Sequence, residues 1–109
     1  MGKSFLIDYD DINDSLYVYK KDRVKGSLDV GNYIIDVNMQ KQVCGIEILN
    51  ARELLKNSGV KDPRTALKTI KSAAFNTVYK PDSVVVYAIL LFDKEKVSTS
   101  IAVPMTIKA

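Results

Sequence analysis

The sequence contains no histidine, no tryptophan and one cysteine, Cys44. Without histidine, no Ser/His/Asp or Cys/His catalytic set can form. One cysteine closes no intrachain disulfide, and with no histidine beside it no tetrahedral zinc site is built. A buried structural thiol in a reduced, cytoplasmic protein is the expected role of Cys44. Neither a Walker loop nor a Gly-x-Gly-x-x-Gly segment occurs, so glycine-loop nucleotide binding has no support. No apolar run reaches the roughly 18 residues that would span a bilayer, and no signal-peptide pattern opens the chain, so no membrane partner is expected. Proline and glycine are sparse, three and five of 109 residues, while hydrophobic residues make up 47%. That balance excludes a disordered or collagen-like chain and fits one globular domain over 1–109.

Charge is present but unevenly placed. Up to Leu55 there are nine acids and seven bases; from Lys56 onward there are nine bases and four acids. The halves are therefore −2 and +5, which recovers the net charge of +3. Such halves attract each other within one chain or between two copies.

Residues 1–49 read as strands. Phe5, Ile7 and Tyr9 alternate onto one side, and Asp10 to Ser15 is dense in residues whose side chains bond nearby backbone. Leu16–Tyr19 returns as the second strand of a hairpin. Ser27–Val30 and Tyr33–Val37 flank Gly31-Asn32, a tight-turn pair. Val43–Leu49 follows a turn over Asn38–Gln42. In sequence order these strands predict an antiparallel meander.

Helix signals occupy residues 50–72. Asn50 with Glu53 three residues later has the form of a capping box, and Leu49 with Leu54 that of a hydrophobic staple. Gly59 stops this helix near Ser58. A second helix opens at Asp62-Pro63 and is expected to reach Ser72, with Leu67, Ile70 and Ala74 as its apolar stripe. Residues 73–107 then form a three-stranded β unit. Phe75–Lys80 alternates, Val84–Phe92 is apolar without a break, and Val97, Thr99, Ile101 and Val103 turn inward up to Pro104. The unbroken run predicts a strand buried on both faces. The expected class is α+β: an N-terminal antiparallel meander, two short central helices and a C-terminal three-stranded antiparallel unit.

Chemistry has few places to reside. Asp8, Asp10, Asp11 and Asp14 offer oxygens for a cation, and Asp11-x-Asn13-x-Ser15 starts like an EF-hand loop. Leu16 then stands where that loop needs glycine and Asp22 where it needs glutamate, so turn capping explains the acids and no metal is expected. No catalytic residue and no cofactor is assigned. Lys61, Arg64, Lys68 and Lys71 form a basic set that could meet phosphates, although no nucleic-acid-reading motif accompanies it.

Asp8-Tyr9-Asp10, Asp14-Ser15-Leu16-Tyr17-Val18, Ile34-Ile35-Asp36-Val37 and Val43-Cys44-Gly45-Ile46-Glu47-Ile48-Leu49-Asn50-Ala51 together form a pattern. It resembles the small prokaryotic domain-of-unknown-function family 2283 over about residues 4–55, most specifically at Gly45–Ala51. The β-rich remainder is similar to an extension in longer archaeal members. This resemblance implies a fold and no reaction, and the setting of some short relatives beside toxin-like genes implies an antitoxin-type partner protein.

The leading expectation is a non-enzymatic interaction module that self-associates or binds a protein partner. A nucleic-acid-binding or antitoxin-like regulator using the basic helix is the alternative, and a metal-dependent enzyme is the remote one. Self-association is expected as a two-fold dimer through the C-terminal strands, with Val84, Val86, Ala88 and Leu90 at the interface, because a small chain has little interior in which to enclose a two-faced strand.

Overall fold

The computed structural model describes residues 4–104. Eight strands and two helices follow in the order β1 (Phe5–Asp10), β2 (Ser15–Lys20), β3 (Val24–Val30), β4 (Tyr33–Asn38), β5 (Val43–Leu49), α1 (Ala51–Asn57), α2 (Pro63–Lys68), β6 (Ser72–Tyr79), β7 (Ser83–Leu91) and β8 (Lys96–Pro104). Residues 105–107, expected within the last β unit, lie outside the described residues. The class is α+β, with one five-stranded and one three-stranded sheet, both antiparallel.

The N-terminal sheet is not the meander that the order of its strands suggested. Its order is β1-β2-β5-β4-β3, so β2 pairs with β5 rather than β3. Composition explains the exchange. The strand β5 buries Val43, Cys44, Gly45, Ile46 and Ile48 and needs a neighbour on each side. Its rival β3 carries Lys25, Gly26 and Asp29, is exposed along nearly its whole length and suits an edge. The β2–β3 connection therefore crosses below the β4–β5 turn in a Greek-key path, where Asn38 Nδ2 donates to Asp22 at 3.0 Å.

The inner faces of both sheets and the buried sides of both helices form one core. Leu16, Val18, Ile35, Ile46 and Ile48 come from the first sheet, Leu55 and Leu67 from the helices, and Phe75, Val84, Val86 and Leu90 from the second sheet. At the seam the Phe5 and Phe75 rings meet edge-on with centroids 4.9 Å apart. Nearby, the Tyr33 and Thr99 hydroxyls lie 3.1 Å apart and Val43 N–H donates to Tyr79 Oη at 2.9 Å. Cys44 is buried, as expected of a structural thiol.

Helix α1 starts differently from its expected capping box. Asn50 is in the left-handed region at φ 54° and its side chain makes no cap bond. The cap comes from across the chain: the Asp14 carboxylate accepts from Arg52 N–H at 3.1 and 3.2 Å, and its carbonyl accepts from Ala51 N–H at 3.2 Å. The end agrees with expectation. Gly59, at φ 92°, donates to Lys56 O, and Val60 N–H reaches back to Leu55 O, the Schellman pairing. Helix α2 begins as expected, with the Asp62 carboxylate accepting from Thr65 N–H before Pro63. It ends at Lys68 rather than Ser72, because the Thr69 N–H and hydroxyl fold back on the last turn and Lys71 N–H is already bonded to Leu91 O. Only Leu67 of the expected stripe is helical; Ala74 belongs to β6.

Two expectations for β7 are corrected. The strand is buried on one face only, and its burial alternates. Val84, Val86, Ala88 and Leu90 are at most 1% exposed and sit in the chain's own core, so they cannot line an interface with a second copy. The β8 alternation is as expected, with Val97, Ile101 and Val103 buried.

Candidate functional site

Three surfaces carry chemistry, and local structure explains each. The acidic turn is the first. Its carboxylates are committed to the fold: Asp10 accepts from Ile12 N–H, Asn13 N–H and Asn13 Nδ2. Asp14 accepts from Tyr9 Oη at 2.8 Å besides capping α1. Asp11 is held by two arginines, with Arg64 Nη2 at 2.9 Å and Arg52 Nη2 at 3.0 Å. The Arg64 hydrogen bond, aided by Arg52, lowers the Asp11 carboxyl to about 2. The bonds from Asn13 likewise hold Asp10 below the usual range. Asp8 takes no part in this turn and lies on the outer face of the five-stranded sheet.

This clamp redistributes the basic set. Arg64 faces Asp11, and the Lys68 charge also acts on Asp11, while Lys61 lies between the helices and Lys71 precedes β6. An open cleft of about 530 Å³ beside the clamp is lined by Asp14, Arg52, Glu53, Lys56, Asp62 and Arg64 among others. Acids and bases alternate there, so no single-sign cradle for phosphate results.

The second surface is the outer face of the five-stranded sheet, a network that sequence reading did not identify as a unit. Tyr17 Oη donates to Asp36 Oδ2 across β5, and Ser27 Oγ donates to Asp36 Oδ1 at 2.6 Å. Ser15 Oγ donates to Glu47 Oε2. The Tyr17 ring stacks on Tyr19 with centroids 4.3 Å apart at 13°. Gly45 makes the crossing possible: a Cβ there would lie 3.0 Å from Tyr17 Oη and 3.1 Å from both Tyr17 Cε1 and Asp36 Oδ2. Burial, then the Asp36 bond, raise the Tyr17 hydroxyl well above its usual range. The signal available in sequence was the alternation Ser15-x-Tyr17-x-Tyr19 opposite Gly45-x-Glu47; the diagonal reach needed the β2–β5 register.

The third surface is the outer face of the three-stranded sheet. Tyr87, Ile89 and Leu91 of β7 and Val78 of β6 are 36–46% exposed. Ala74, Ser98, Ser100 and Ala102 flank them, and among the described residues Lys96, at one end, is the only charged paired position on this face.

Two outcomes follow. A depressed carboxyl stabilises the fold above its unfolded value of 3.8 and loses that contribution as pH falls through about 2. The stability difference between wild type and Asp11→Asn, measured by denaturant melts, should therefore be constant above about pH 5, shrink as pH falls through 3.8 and vanish below about pH 2; a difference independent of pH would contradict the clamp. Gly45→Ala should destabilise by about 1–3 kcal/mol, because the new methyl presses on the Tyr17 ring and the Asp36 carboxylate, which are bonded to each other. Spectrophotometric titration of that variant should show Tyr17 ionising earlier than in wild type.

Comparison with known proteins covers less than half of the chain. No solved structure matches. A protein of Methanocaldococcus jannaschii named only as uncharacterized protein MJ0789 is 49% identical over 49 residues, which are 44% of this chain and 42% of that protein. The match thus spans less than half of the relative's length. Residues 6–52 match the family described as "Protein of unknown function (DUF2283)", the family whose pattern the strands from Asp8 to Leu49 resemble.

Proposed function

We propose that the protein is a non-enzymatic interaction module that self-associates as a two-fold dimer through the outer face of its three-stranded sheet. The observation that carries this reading is the row Tyr87, Ile89 and Leu91, apolar and exposed in the middle of a face with charge only at its end. Contiguous apolar surface of this kind marks interaction sites in proteins that remain folded and dispersed.

The face is self-complementary in shape. Tyr87 and Ile89 form a ridge, and beside it an open groove of about 330 Å³ runs over Ser98 and Ser100. A two-fold operation sets the ridge of each copy into the groove of the other, the isologous arrangement that closes an assembly. Three strands about 4.8 Å apart and eight or nine residues long present a flat footprint of roughly 400 Å². Since standard interfaces bury about 800 Å² of accessible surface per partner, the dimer is expected at the weak, concentration-dependent end.

Light scattering over about 10–500 µM protein should show the mass rising from the 12.2 kDa monomer toward twice that value. Ile89→Lys should keep the monomer mass throughout, with an unchanged circular dichroism spectrum. Val86→Lys, whose side chain points inward, should unfold the chain. A monomer mass over the whole series for wild type would contradict the proposal.

A further inference from the structure

The outer face of the five-stranded sheet carries charge of one sign. Register places Asp8 and Asp10 of β1, Glu47 of β5, Asp36 of β4 and Asp29 of β3 on it, and among the described residues no paired position of the face holds lysine or arginine. Asp36 is buried under Tyr17 and Ser27, Glu47 is bonded to Ser15 and Asp10 holds the turn, which leaves Asp8 and Asp29 as the exposed carboxylates outside these bonds. Between the acids stand the stacked rings of Tyr17 and Tyr19 and the side chains of Leu6, Ile34 and Leu49. The helices and the second sheet pack against the opposite face, where the core lies, and Leu6, Asp8, Ser27 and Asp29 are exposed.

This combination selects among partners. Nucleic acids and anionic lipid surfaces bring phosphates, which the carboxylates repel. A single bound cation would need converging ligands, and among the described residues no three acidic or thiol groups come together to hold a metal ion. The exposed carboxylates Asp8 and Asp29 instead stand on β1 and β3, on either side of the half-buried Glu47 and buried Asp36, with neighbouring strands about 4.8 Å apart. Lysine and arginine side chains match the face in both respects. Their charged heads meet carboxylates and tyrosine ring faces, and their aliphatic stems lie on leucine and isoleucine.

We propose that this face docks a Lys/Arg-rich segment of another protein. The surface is separate from the three-stranded sheet, so the proposal does not rest on self-association through that sheet. The whole chain has a net charge of +3. A basic segment is therefore not drawn in by the overall field; attraction arises locally, within a screening length of about 10 Å at 0.1 M salt.

The test is fluorescence anisotropy of labelled octa-arginine with the full chain at low salt, and labelled octa-glutamate as the charge control. Asp8→Lys combined with Asp29→Lys changes two exposed acids outside the Tyr17–Asp36 network. Asp82→Lys combined with Asp93→Lys changes the net charge equally in the C-terminal half. Octa-arginine is expected to bind, octa-glutamate not; the first pair should weaken binding about tenfold or more and the second about twofold or less. Tyr19→Ala should weaken it further at fixed charge. Absence of octa-arginine binding to wild type, or equal losses from both charge pairs, would overturn the proposal. So would loss of self-association in the Asp8→Lys, Asp29→Lys protein, since the occupant would then be the lysine-bearing helices of a second copy.

Discussion

The rest of the structure depends on β5 lying between β2 and β4. This strand is the only one of the first sheet whose apolar residues Val43, Ile46 and Ile48 are all buried while its outward positions are also covered or crossed. Ile46 stands opposite both Val18 and Ile35, and Ile48 opposite both Leu16 and Tyr33. Each of these rows faces the three-stranded sheet and continues its core. The same placement delivers Leu49 and Asn50 next to the β1–β2 turn, where Asp14 caps α1 from a position 38 residues earlier in the chain. A meander would move β2 away from that turn partner and leave the helix without its cap.

The two sheets share a core but present unlike outer faces. On the first, buried Asp36 receives hydroxyl donors from Tyr17 and Ser27, and the ring that supplies one of them lies over the glycine at position 45. A buried carboxylate stripped of its donors is costly, so the tyrosine, the serine and the glycine act as one unit. On the second, the central strand exposes apolar residues between small neighbours, and the edge strand β8 has no charge from Val97 to Val103. Open edges and apolar faces of this kind favour association. One molecule therefore offers an acidic, aromatic surface and an apolar one, on opposite sides of the same core.

Much of this was legible in the residues. Alternation located the strands to within a few positions, Gly31-Asn32 marked a hairpin, Asp62-Pro63 opened α2, and Gly59 closed α1. Three features were not legible, each for a physical reason. Strand order depends on which strand needs two neighbours, a property of β5 and β3 together rather than of either segment. Local spacing points to Asn50 as the cap of α1 because it cannot register a carboxylate arriving from Asp14. The Val84–Phe92 run reads as doubly buried because periodicity cannot distinguish an enclosed strand from one whose second face is apolar and uncovered. Within the candidate surfaces, the residue types were evident, but the Tyr17–Asp36 bond crosses a strand and appears only with the register.

Proton nuclear Overhauser contacts between strand backbones test the central claim most directly. The account predicts cross-strand contacts for Leu16 with Ile48 and for Val18 with Ile46, together with contacts between the Tyr17 ring and Gly45. Contacts running from β2 to β3, with β5 found only beside β4, would restore the meander and contradict the account.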